Sequence, residues 1–98
     1  MTALPLRFAL RQNEPNPFSR TTTIRFDLPV GAMVHLDVFD AQGRRVQTLA
    51  NRFYAPGFQS VTWDPSRGDG GRTGPGVYFY RIQAGSFRDR KKLVLMGN

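Results

Sequence analysis

The chain has no cysteine and a single histidine, His35, among 98 residues. Without thiols there is no disulfide framework, no thiolate metal site and no cysteine nucleophile, whatever the compartment. One histidine likewise leaves no histidine-based metal cluster, and at an outward strand position beside Asp37 it reads as a surface residue rather than the base of a triad. Acidic residues are scarce: seven Asp and Glu stand against fourteen Lys and Arg, a net charge of +7. Any catalysis would have to rest on those few carboxylates. No apolar run approaches the roughly 20 residues that span a bilayer. The N-terminus lacks the basic flank, apolar stretch and small-residue cleavage site of a signal peptide. If the protein is exported, its export signal is expected to lie elsewhere in a longer polypeptide.

A charge of this size admits anionic partners such as nucleic acid, lipopolysaccharide or an acidic polymer. Twelve of the fourteen basic residues are arginine, yet they are scattered, clustering only at Arg44 and Arg45 and at Arg88, Arg90, Lys91 and Lys92. That spread argues against nucleic acid and fits solubility. The length is that of one domain, near the lower end of sizes that form a self-sufficient core.

The strongest local signal is GPGVYFYRI, residues 74–82. Two glycines bracketing a proline force a turn, and the β-branched and aromatic run behind them predicts a strand. Tyr78, Tyr80 and Ile82 share one face and Val77, Phe79 and Arg81 the other, so the strand is expected to be central, apolar on both sides. Its expected neighbour is RKKLVLM, residues 90–96, reached through a tight hairpin at 84–86.

Alternation at period two predicts further strands. Leu4, Leu6, Phe8 and Leu10 suggest an edge strand; Ile24, Phe26 and Leu28 the buried side of the next; Val34, Leu36 and Val38 that of a third, with His35, Asp37 and Phe39 outward. Between the first two, QNEPNPFS (12–19) is held extended by its prolines, with Phe18 expected to plug one end of the core. DAQG (40–43) is a turn with glycine where φ must be positive. Residues 44–50 read as a return strand with Val46 inward, although Val46, Leu49 and Ala50 also match helical spacing. A turn at 54–58 leads to residues 59–64, where Val61 and Trp63 share a face and Trp63 is expected at the core centre. Residues 65–75 form a solvated loop. Seven short strands with turn signals every eight to twelve residues predict an all-β, immunoglobulin-like antiparallel sandwich, with a barrel as alternative. Residues 1–20 form its leading strand and Pro-rich segment, and 21–96 the sandwich proper.

Few residues qualify for chemistry. Asp64 and Asp69 flank the Gly-rich loop and are the only metal candidates beside Asp40, but the alternating acidic positions and closing glutamate of a calcium loop are missing. Asp64 is expected instead to cap the turn after Trp63. Arg67, Gly68 and Asp69 spell RGD in a loop already rich in these residues. No phosphate-binding or enzyme motif is present, and no cofactor is implied. Phe39, Phe53, Tyr54 and Phe79 are the candidate rings for a carbohydrate platform.

Six segments in register, NEPNPF (13–18), TTIRFDLP (22–29), VHLDVFDAQGRRV (34–46), APG with VTWD (55–64), PGVYFYRI (75–82) and KKLVL (91–95), resemble the type A C-terminal sorting domain of the type IX secretion system of Bacteroidota and related phyla. The resemblance implies an immunoglobulin-like, non-catalytic module at the C-terminus of secreted proteins, and the scattered arginines imply no nucleic-acid partner. After export to the periplasm it would be recognised by the outer-membrane translocon, removed by a sortase-like peptidase, and its cargo released or attached to anionic lipopolysaccharide at the cell surface. It also implies that the recognition signal comprises Pro75, Gly76, Val77 and Tyr78 together with Lys91, Lys92, Leu93, Val94 and Leu95. The chain departs from the family at Pro65, Ser66 and Arg67, where a glycine and a more acidic hairpin are usual, and in Gly97 and Asn98 behind the last strand. The immunoglobulin-like domain of the flagellar hook-capping protein is a related alternative that shares the GR and WD…GxY patterns.

Overall fold

A computed structural model describes residues 3–67 and 73–97. Seven strands run in chain order: β1 Ala9–Leu10, β2 Thr22–Leu28, β3 Ala32–Asp40, β4 Arg45–Tyr54, β5 Gly57–Trp63, β6 Gly76–Ala84 and β7 Phe87–Leu95. A 3-10 turn, Pro65–Arg67, follows β5. The strands form two antiparallel sheets, β1-β2-β5 and β4-β3-β6-β7. The architecture is therefore an all-β sandwich, and the two separate sheets dispose of the barrel.

Period-two alternation builds the interior. From β2, Ile24, Phe26 and Leu28 meet Val34, Leu36 and Val38 of β3 and Tyr80, Ile82 and Leu93 from β6 and β7, all fully buried. Each contributes roughly 1.5–3 kcal/mol by leaving water. Trp63 sits at one end of this core, against Phe18 at 5.6 Å and edge-on to Tyr78 at 5.7 Å between ring centroids. Gly43, with φ 85°, closes the β3–β4 hairpin, and Gly85, with φ 58°, the two-residue β6–β7 turn between paired Ala84 and Phe87. Both need the left-handed region that glycine occupies without a Cβ clash.

β4 is a strand, not a helix, and runs on to Tyr54. Two bulges opposite β3, at Leu36/Asp37 and Val38/Phe39, absorb Leu49 and Val46 as extra residues. Both reach the core although their spacing of three would put them on opposite faces of a regular strand. The run onward to Tyr54 confines the following turn to Ala55 and Pro56.

Two expectations are corrected. The first strand is only Ala9–Leu10, and Leu6 is 97% exposed. Its register explains why: Ala9 pairs with Asp27, so Arg7 would fall opposite Pro29 and Leu6 opposite Val30, beyond the end of β2. β6 is central in its sheet, as expected, but only its Tyr78, Tyr80 and Ile82 face is buried; Val77 and Arg81 of the other face are exposed and Phe79 is half-buried.

Candidate functional site

The segments that the sequence marks as distinctive converge on one edge of the four-stranded sheet. β7 is an edge strand, and an open edge offers unpaired N–H and C=O groups. Here residues 12–18, the strap, close its C-terminal half. Gln12 Nε2 donates to Lys92 O at 2.8 Å, and Val94 N donates to Asn16 Oδ1 at 3.0 Å. Phe18 N donates to Val94 O at 3.0 Å and Met96 N to Phe18 O at 2.8 Å, a short parallel bridge.

The strap is held from beneath by Tyr80. Its hydroxyl accepts from Asn13 N at 2.8 Å and donates to Arg11 O at 2.7 Å, tying the middle of β6 to the strap's entry. Asn13 is buried, and its Nδ2 donates to Thr22 Oγ1 at 3.0 Å and Pro15 O at 3.2 Å. Thr22 Oγ1 in turn donates to Pro15 O at 2.8 Å. The Glu14–Pro15 and Asn16–Pro17 peptide bonds are cis. Burial pushes the Tyr80 phenol up to about 12; the bond from Asn13 N opposes that rise and the Asp89 carboxylate adds to it.

The sequence-marked signal residues divide by role. Gly76, with φ 152°, opens β6 in a backbone region that L side chains rarely adopt, beside exposed Pro75. Tyr78 is buried, and its hydroxyl donates to Gly74 O at 2.6 Å, folding the turn onto the strand. Burial foremost, with the nearby Asp40 carboxylate, raises its phenol pKa. Leu93 and Leu95 are core residues. Val77 and Val94 pair on the outer face, as do Phe79 and Lys92. Lys92 is exposed, whereas Lys91 is half-buried, because its register partner is inward-facing Tyr80. Sequence reading missed Asn13, Asn16 and Tyr80 as strap ligands. Its available clue was two asparagines among prolines, since an Asn amide can satisfy backbone groups that proline-bound chain leaves unpaired.

The remaining candidates are not assembled into a site. Asp64 caps the turn as expected, accepting from Ser66 Oγ at 2.6 Å and Ser66 N at 3.0 Å, bonds that lower its pKa. Asp69 and the RGD glycine lie outside the described residues. Asp40 accepts from Arg44 N, Gln42 N and Arg44 Nε, each at 2.9 Å, and the first of these leads in lowering its pKa. No group of three or more His, Asp or Glu is placed for a metal among the described residues. The carbohydrate platform needs correction: Tyr54 is buried, edge-on to Phe26 at 5.3 Å, and Phe39 and Phe79 are half-buried, which leaves Phe53 as the one fully presented ring of the four.

No helix among the described residues is long and apolar enough to cross a membrane. No curated protein and no solved structure matches the chain. Residues 15–96 match the family described as the secretion system C-terminal sorting domain. That span takes in most of the strap and all of β2 to β7, the elements that build the closed edge. The chain therefore belongs to the secretion system C-terminal sorting domain family, whose members are signals of the type IX system.

Proposed function

We propose that this module directs an attached cargo by presenting a folded surface, the strap-closed edge of β7 with the opening of β6, rather than a linear tail. Family membership makes the chain a C-terminal sorting signal that interacts with the type IX machinery and leads to the cell surface or extracellular space. The observation that carries the finer reading is the four-bond seam between residues 12–18 and 92–96. It joins the NEPNPF and KKLVL segments into one patch, next to which Pro75, Gly76, Val77 and Tyr78 open β6.

In this reading the recognition signal is Pro75 to Tyr78 with Lys91 to Leu95. Leu93, Leu95 and Tyr78 hold the shape, and Pro75, Val77 and Lys92 are available for contact. The translocon meets the folded module in the periplasm, a sortase-like peptidase removes it, and cargo is passed to anionic lipopolysaccharide or released. The module itself does no catalysis. That part of the reading rests on the family, whose members are signals; Asp27, Asp40 and Asp64 are engaged by Arg11, Arg44 and Ser66.

A periplasmic reporter fused to residues 1–98 in a type IX-competent bacterium tests the reading. The reporter should appear at the surface or in the medium. Retention in the periplasm would sink it. Lys92→Gln, at an exposed site, should lower export while leaving the melting temperature unchanged; unchanged export would remove Lys92 from the signal.

A further inference from the structure

The two outer faces of the sandwich differ in charge. On the three-stranded sheet, Arg25 lies 3.5 Å from Glu14, and the Arg11 guanidinium pairs with the Asp27 carboxylate. That face is balanced and internally paired. On the four-stranded sheet, the register places Arg45, Arg81, Arg88, Arg90 and Lys92 together on the outer side. Among the described residues the one carboxylate sharing that side is Asp37, opposite Arg81 in the register, which is buried and accepts from Thr48 Oγ1 at 2.7 Å. None of the five cations forms an ion pair among the described residues.

Among the described residues this face carries five cations against that single acid. Arg81 is the direct register partner of Asp37 on β3 and of Arg90 on β7, so it stands between one acid and one like charge. Like charges set opposite one another on one face repel and destabilise a sheet. Arg81 also lies over the Phe39 ring at 4.7 Å, and Phe39 and Phe79 are themselves paired. The two rings, Arg81, Arg90 and the β3–β4 hairpin line a depression of about 350 Å³. The hairpin's own acid, Asp40, is taken up by Arg44. The result is an aromatic floor with the Arg81 guanidinium over Phe39 and Arg90 lining the same depression.

We propose that this face docks an acidic protein surface, with a partner carboxylate between Arg81 and Arg90 and partner apolar groups over Phe39 and Phe79. Four of the five cations are arginine, whose planar fork suits carboxylates, and arginine beside aromatic rings is the make-up of protein interface hot spots. Exposed Met33 and Phe53 continue the face in apolar form. A polyanionic chain would be served better by a groove tracking its backbone than by one local depression closed by a hairpin. The proposal leans on the sorting role only in expecting a protein partner.

The purified 98-residue chain can be titrated with a random copolymer of glutamate and tyrosine, and separately with dextran sulfate, at about 0.15 M salt to screen long-range attraction. Backbone amide shifts should concentrate at residues 39, 79, 81, 88 and 90. R81Q/R90Q should weaken copolymer binding by about tenfold or more while the amide spectrum away from the face stays that of the folded parent. R7Q/R20Q, which removes the same charge at exposed sites elsewhere, should change binding less than about twofold. Equal losses in the two double variants would reduce the effect to net charge and overturn the proposal. So would tighter, equally R81Q/R90Q-sensitive binding of dextran sulfate, which would make the face a polysaccharide site. A chain that binds selectively but fails to export the reporter leaves this surface standing and removes the sorting mechanism; export with unselective binding does the reverse.

Discussion

Tyr80→Phe isolates the tie between β6 and the strap. The ring stays, so the fully buried packing of Tyr80 is preserved and only the hydroxyl is lost. Two hydrogen bonds go with it. Asn13 N lies in a buried residue and loses its acceptor, which costs about 1–3 kcal/mol as an unsatisfied donor. Arg11 O, at an exposed residue, can turn to water, and that loss is about 0.5–1.5 kcal/mol. The sum is about 1.5–4.5 kcal/mol, read as a fall in the urea midpoint at unchanged slope. Amide exchange at Asn13, Phe18, Val94 and Met96 should accelerate more than exchange at Ile24 or Leu36, since the seam opens locally while the core remains. A loss below about 0.5 kcal/mol, or uniform acceleration across the domain, would refute the view that this hydroxyl anchors the strap.

Three further outcomes are expected. Phe18→Ala removes a buried ring packed on Trp63 and should cost about 3–5 kcal/mol, with a red shift in the fluorescence of the single tryptophan; an unshifted spectrum would place Phe18 outside the core. Gly85→Ala, at φ 58°, should cost about 1–2 kcal/mol in chemical denaturation, whereas Gly74→Ala, where an added Cβ meets nothing within 4 Å, should be neutral. A free phenol ionises near 10 and Tyr80 near about 12, so the native state keeps a proton that the unfolded state loses. Stability should hold below about pH 10 and fall toward pH 12 by at most about 1.4 kcal/mol per unit, a slope that Tyr80→Phe should reduce.

Much of the sandwich is visible in side-chain alternation. Ile24, Phe26 and Leu28, or Val34, Leu36 and Val38, can be assigned to a buried face because a strand's period of two needs no knowledge of its partner. The hairpin glycines are equally local. What escapes is whatever depends on pairing. Leu4 and Leu6 alternate as well as any core residues, yet β2 ends before it can receive them. Tyr54 reads as a turn residue until two bulges in β4 bring it opposite Ala32 and into the core. The strap is hidden for the same reason: its bonds link residues 67 to 80 positions apart, and nothing in NEPNPF names Tyr80 or Val94 as partner. The Arg81 and Arg90 pair likewise exists only once β6 and β7 are in register.

The seam between residues 12–18 and 92–96 also orders events in time. Its Asn16 to Val94 bond spans 78 positions, and closing so long a loop costs entropy that nearer hairpins do not. The β3–β4 and β6–β7 hairpins should therefore form early and the strap should lock last, after β7 has left the ribosome or the export channel. During that interval the lower half of β7 would expose an unpaired edge, open to a chaperone or to another strand. A ribosome stalled before Leu95 would yield a module with most of its core but an unsealed edge. Strap closure would thus mark a module whose β7 is complete, and a receptor that reads the sealed edge would reject chains cut short within that strand.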